Sequence, residues 1–162
     1  MDTNLDPRTL RDAFGCFATG VTVITGCAED GTRVGLTANS FTSVSLDPPL
    51  LLFCPALSAS ALPTLRATGR FAINVLDLDD EAVANRFAQK GVDRFAGADW
   101  QDWDGLPVLA TAKAAFVCDI QSDLDGGDHR IIVGRVRRLV HAPDREALLY
   151  LHGRYRRVHV GT

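Results

Sequence analysis

The sequence predicts a mainly β fold with short helices, wound into a closed β-barrel. Three observations carry this. About seven short runs rich in branched and aromatic residues are punctuated by turns, only three or four short helical patterns occur, and strands do not alternate with long helices as in a Rossmann sheet. At 162 residues, 46% apolar and 23% charged, the chain fits one domain over 1–162, with its core at about 10–158. No repeat, linker or low-complexity tract divides it.

Asp6-Pro7 opens a helix, with Asp as cap and Pro at the first helical position. Leu10, Phe14 and Phe17 share a face until Gly20 stops it. VTVITG from Val21 and RVGLTA are strands joined as a hairpin through Glu29–Thr32. SFTSVSL is a further strand, Pro48-Pro49 breaks the chain, and LLLFC reads as a strand buried on both faces. SASALPTLRATG is a short helix ending at Gly69, RFAINVL a strand, and Asp79–Gln89 a helix burying Ala82, Val83 and Phe87. Residues 90–107 form a long loop bearing Trp100 and Trp103, which either form an interface or cover the protein's own core. Strands around Val108–Ala112, Ala114–Ser122 and Arg130–Val140 follow, then a short helix or turn at Asp144–Leu151 and the basic tail HGRYRRV.

The net charge is −3, which argues against nucleic acid as a partner, because phosphate-backbone binding needs a clustered positive field. No run approaches the ~18 apolar residues of a membrane span. The start, MDTNLDPRTL, is polar and acidic, unlike a signal peptide. Cys16, Cys27, Cys54 and Cys118 are scattered with no C-x-x-C, which speaks against zinc and for free buried thiols in a reducing cytoplasm. GxSxG, HExxH, Walker A and GxGxxG patterns do not occur, so acyl transfer, metalloprotease, P-loop and dinucleotide-fold readings lack support.

Three segments carry polar specificity. Thr37-Ala38-Asn39-Ser40, with Ser43 and Ser45 beyond, is either a polar turn or a close-approach edge for a flat ligand. Ser58 and Ser60 begin a helical pattern, as a simple cap or as a phosphate site to which Arg86 and Lys90 add charge. Gly127-Asp128-His129 puts a histidine at the barrel rim, to meet a ligand or to serve the structure.

Taken in order, RDAFGCFATGVTVIT, GLTANSFTSVSLDPPLLLFC, GRFAINVL, RFAQKGVDRF, GDHRIIVGRV and GRYRRV resemble the flavin reductase-like family of FMN-binding split barrels. These are the reductase partners of two-component flavin monooxygenases. The resemblance covers about Leu10 to Val158 and implies a split β-barrel of Greek-key type. It implies that the isoalloxazine ring meets Thr37, Ala38, Asn39 and Ser40, with Ser45 and Cys54 lining the flavin. Ser58 and Ser60 correspond to its phosphate element. Arg86, Phe87 and Lys90 match its R-F-x-x-K stretch, with Lys90 near the phosphate. Phe95 matches an aromatic near the ring and nicotinamide groove, Gly127-Asp128-His129 the motif whose His serves the nicotinamide nucleotide, and Tyr155 an aromatic closing over the ligands. Ser60 stands where relatives often carry Thr.

The implied activity is hydride transfer from NADH, or NADPH, to FMN or FAD, supplying a transient monooxygenase partner. A homodimer is implied as well. The alternative is a flavin carrier or sensor without turnover, since fold alone does not fix function. An oxidase acting on a small phosphate-bearing substrate ranks behind both.

Overall fold

A computed structural model of the chain describes residues 5–159. Residues 1–4, which include the polar start, and 160–162, the far end of the expected single domain, lie outside the described residues. Helix α1 (Pro7–Phe14) begins as the sequence predicts, with the Asp6 carboxylate accepting the Thr9 N–H at 3.0 Å. It ends at Gly15, not Gly20. The chain there turns back on itself, and the Gly15 carbonyl accepts the His152 N–H at 2.8 Å. Phe17 therefore sits in a turn beyond the helix, and both Phe14 and Phe17 stand exposed.

Strand β1 (Thr19–Gly20) leads to β2 (Thr22–Cys27) and β3 (Arg33–Ala38), which form the expected hairpin with Ile24 opposite Leu36. A second hairpin joins β4 (Thr42–Leu46) to β5 (Pro49–Phe53). Strand β5 buries one face, not two: Leu51 and Phe53 are inside while Leu50 and Leu52 are half-buried. Helix α2 (Leu62–Thr68), β6 (Arg70–Val75), a 3-10 turn (Leu78–Asp80) and α3 (Glu81–Ala88) follow. Helix α3 buries Ala84 with Phe87, whereas Ala82 faces solvent.

Residues 90–107 are not a plain loop. They include β7 (Trp100–Trp103) and the start of β8 (Leu106–Leu109), a hairpin that lays both tryptophans against the core. Both therefore cover the chain's own interior. Trp100 donates its indole N–H to Phe95 O at 3.1 Å, and the Arg138 guanidinium lies over Trp103. Strands β9 (Ala114–Gly126) and β10 (His129–His141) make a long hairpin. The helix or turn expected at Asp144–Leu151 is instead a turn followed by β11 (Leu149–Leu151), which pairs with β1 and with β12 (Arg154–Arg156). Distant backbone partners satisfy this segment: Leu148 N–H donates to Leu76 O, and Val21 N–H to Leu148 O.

The main sheet is antiparallel, in the order β3-β2-β6-β9-β10-β5-β4. Its end strands β3 and β4 do not pair, so the barrel is split and not closed. Period-two alternation sorts the core into two clusters. Val23 and Ala72 face Phe87, Leu109 and Val117; Ile24, Phe71 and Ile73 face Phe53 and Ile132. Buried Asn74 ties β8 to the sheet, donating to Val23 O and accepting the Leu109 N–H at 2.8 Å. The four cysteines are free, but contrary to expectation only Cys118 is buried; Cys27 and Cys54 are half-buried and Cys16 is exposed. Burial, with Asp119 beside it, pushes the Cys118 thiol up to about 12.

Gly134 of β10 lets Phe71 come close: a Cβ there would lie 2.3 Å from Phe71 Cζ and 3.1 Å from Cys118 Cβ. Phe71 is fully buried and packs edge-on to Phe53, so it has no room to yield. Gly134→Ala is expected to destabilise by about 1–3 kcal/mol. That corresponds to roughly 2–4 °C in Tm per kcal/mol. An unchanged thermal transition by circular dichroism would contradict this packing.

Candidate functional site

The site begins at β3. As an edge strand it leaves main-chain groups on its outer side without ladder partners. Past the last ladder pair, Thr22–Ala38, the chain leaves the sheet at Asn39 and Ser40. The Ser40 hydroxyl accepts the Cys54 N–H at 2.8 Å and donates to the Cys54 carbonyl at 3.3 Å. This fixes the second wall, residues 54–60, against the first.

The β9–β10 hairpin holds that wall from the other side. Arg130 N–H donates to Pro55 O and Leu57 N–H to Asp128 O, both at 2.9 Å, and Ala56 bridges His129. The third wall is the end of α3 with residues 90–95. Gly35 admits it: a Cβ there would meet Phe87 Cε1 at 2.5 Å and Ile24 O at 2.8 Å. Thr37 Oγ1 donates to Ala84 O of α3 at 2.7 Å.

Between these walls lies a cleft of about 1110 Å³. Thr37, Ala38, Asn39, Ser40, Cys54, Ser58, Ser60, Lys90, Phe95 and His129 all line it. Gly127 and Asp128 form the turn ahead of His129 and stay outside the lining; Asp128 Oδ1 lies 2.7 Å from His129 Nδ1. Ser45 sits on β4 opposite Leu50, away from the cleft. Tyr155 sits on β12 opposite Tyr150 and lines a smaller space of about 220 Å³. Thr37, Ala38 and Asn39 are a wall common to both spaces.

Two expectations change in their physical basis. Ser58 and Ser60 do not cap a helix: α2 starts at Leu62 with Ala61 at its cap, and the serines lie in turns ahead of it. Arg86 does not reach the cleft, and its guanidinium lies beside Gly97.

Sequence reasoning missed two residues. Arg94 spans the walls, its Nη1 donating to Gly35 O at 2.8 Å and Ser60 Oγ at 3.2 Å while Nε and Nη2 donate to Gln89 O. Arg33 lies over the Phe95 ring, 4.4 Å from its centroid. Arg94 sits four residues after Lys90 in RFAQKGVDRF, the one signal that could have found it. Charge in the cleft is cationic, with Arg33, Lys90 and Arg94 against Asp93, whose carboxylate accepts the Phe95 N–H.

Burial pushes the Cys54 thiol up from its ordinary value. The hydrogen bond from His129, then its charge, hold the exposed Asp128 carboxyl below the usual carboxylate range. Among the described residues no group of His, Cys, Asp and Glu is placed to hold a metal, and no helix is long and apolar enough to cross a membrane. The donor set, with main-chain edge groups at one end and hydroxyls and cations further along, fits a planar polar-edged ring carrying a phosphate.

A family model described as a flavin reductase like domain matches residues 14–159. The chain belongs to the flavin reductase-like family. It is 43% identical over 151 residues to the FMN reductase (NADH) SmoA of Agrobacterium fabrum, covering 93% of this chain and 85% of that one. Stachydrine N-demethylase reductase subunit Stc3 of Rhizobium meliloti is 50% identical over 132 residues, 81% of this chain. The chain spans 57% of Stc3 and 42% of another Rhizobium meliloti relative, about half the length of each. Among solved structures, Streptomyces globisporus NADH:FAD oxidoreductase SgcE6, in complex with NAD and FAD fragments, superposes with a TM-score of 0.91. It is 42% identical, covering 96% of this chain and 94% of that one.

The Ser40–Cys54 bonds are testable. Ser40→Ala leaves a half-buried Cys54 N–H unpaired and is expected to cost about 1–3 kcal/mol. Amide exchange at Cys54 should accelerate with the loss in denaturant midpoint. Unchanged exchange would show that another group holds the second wall.

Proposed function

We propose that this chain is an NAD(P)H-dependent flavin reductase, reducing FMN or FAD and supplying a flavin-dependent monooxygenase. The observation that carries this is that the three walls of one cleft bring together the 37–40 edge, the Ser60–Arg94 pair with Lys90 nearby in the lining, and His129. The similarity to SmoA and SgcE6 supports NADH as donor, with both flavins open as acceptors.

Bound flavin supplies the chemistry, accepting a hydride from reduced nicotinamide. The residues present fit that guest. Thr37 to Ser40 would hold the ring edge through main-chain groups, and amide donors there would favour negative charge at that edge. Lys90 and Arg94 would hold the phosphate, with Ser58 and Ser60 as hydroxyl partners. His129, its Nδ1 engaged by Asp128, has Nε2 left to position the nicotinamide nucleotide. The protein's task is to bring two rings within about 3–3.5 Å, and no strong acid, base or nucleophile is asked of it. Tyr155 takes an outer role from the adjoining space behind residues 37–39, and Ser45, away from both spaces, takes none.

The carrier reading is disfavoured by His129 standing in the lining, where a module that only stored flavin has no use for it. A homodimer is supported by the outward face of α1 and its following turn, with Phe14 and Phe17 exposed by 74% and 78%. The unpaired cysteines support a reducing compartment, the cytoplasm. The monooxygenase contact is transient, since reduced flavin diffuses.

Purified protein mixed with NADH or NADPH and FMN or FAD should bleach the near-ultraviolet absorbance of the nicotinamide only when flavin is present. No flavin-dependent oxidation with any pair would refute the proposal. A yellow protein that neither nicotinamide bleaches would favour the carrier. His129→Ala should raise the NADH KM about tenfold or more while flavin Kd moves far less. Equal losses would reduce His129 to a support for residues 54–60. Light scattering should give twice 17.5 kDa; a mass of 17.5 kDa at micromolar concentration would refute the dimer.

A further inference from the structure

The cleft has an order along β3. Main-chain groups for a ring edge lie at Thr37 to Ser40. Ser60 and Arg94 converge on Gly35. Arg33 comes two residues further on, about 7 Å at the rise of an antiparallel strand. A riboflavin phosphate with its ring at the first station and its phosphate at the second ends near Gly35, yet the cleft continues past it to Arg33 and Phe95.

What lies there is an aromatic ring with a guanidinium over it. Phe95 is 8% exposed and wedged edge-on between Phe87 and Trp100, with both ring centroids 5.0 Å away. It has no freedom to swing aside. The Arg33 guanidinium rests on it, is exposed, and belongs to no ion pair among the described residues. A guanidinium plane backed by an aromatic ring, with no carboxylate claiming it, is the kind of surface on which nucleobases stack.

We propose that Arg33, backed by Phe95, is a platform for the adenine ring of a dinucleotide, and that it lets the protein distinguish a dinucleotide from a mononucleotide. This rests on the flavin reductase reading and extends it. Two sources carry the same adenosine diphosphate half, FAD and NADH, and one experiment separates them.

Wild type, Arg33→Ala and Arg33→Lys are each titrated with FAD, FMN, NADH and reduced nicotinamide mononucleotide, followed by ligand fluorescence. For Arg33→Ala, the Kd ratio of FAD to FMN, or of NADH to the mononucleotide, is expected to rise about tenfold. The ratio that moves identifies the source. Arg33→Lys keeps the charge but loses the plane, so it should resemble the alanine variant. Both ratios staying within about twofold of wild type would overturn the platform. So would full recovery in Arg33→Lys, which would make Arg33 a point charge for phosphate. Each ratio is taken within one preparation, so a reduced folded fraction cancels. The readout is binding: a wild type that binds flavin without oxidising nicotinamide sinks the reductase reading, while the ratios still judge the platform.

Discussion

Backbone stitching of residues 54–60 makes the cleft. Ser40 grips Cys54 from one side, while Arg130 N–H and the Asp128 carbonyl grip Pro55 and Leu57 from the other. Few apolar side chains hold this segment, and Leu57 is exposed. Without those bonds its polar backbone would have only water to satisfy it, and no second wall would stand opposite β3. The same stitching carries His129 into the lining, because it sits between the Asp128 carbonyl that accepts from Leu57 and the Arg130 N–H that donates to Pro55. Wall and rim are therefore one construction.

Electrostatics follows from how the arginines are shared out. Arg66 and Arg130 meet Asp123, and Arg137 meets Asp119, on the sheet surface. The exposed arginines among them, Arg66 and Arg137, add little stability through such pairs, while the Arg130–Asp123 pair is half-buried. In the cleft, Arg94 is satisfied by carbonyls and a hydroxyl, and among the described residues no carboxylate lies within salt-bridge reach of it. A net charge of −3 on the whole chain is therefore compatible with a cationic cleft, which the overall balance does not reveal.

What was legible in the sequence was local. The β2–β3 hairpin is written in turn residues between branched runs, β9 and β10 as separate strands whose pairing the sequence did not announce, and the start of α1 in Asp6-Pro7. The site was legible mostly through ordered motifs, and ten of the residues they nominate share one cleft. The misses need distance to be seen. Strand β11 exists because β1, over a hundred residues earlier, offers it partners. The β7–β8 hairpin exists because Asn74 and Thr25 reach over to bind Leu109 N–H and Pro107 O. Arg94 looked like any surface arginine until Gly35 and Ser60 were brought beside it.

An uncovered strand margin that can receive a guest can also receive a stray extended polypeptide. Strand β3 is such a margin, and Arg94 plugs it at Gly35. A cation on an edge strand discourages pairing with another edge. The guanidinium that shapes the cleft thus also occupies one acceptor on a sticky flank.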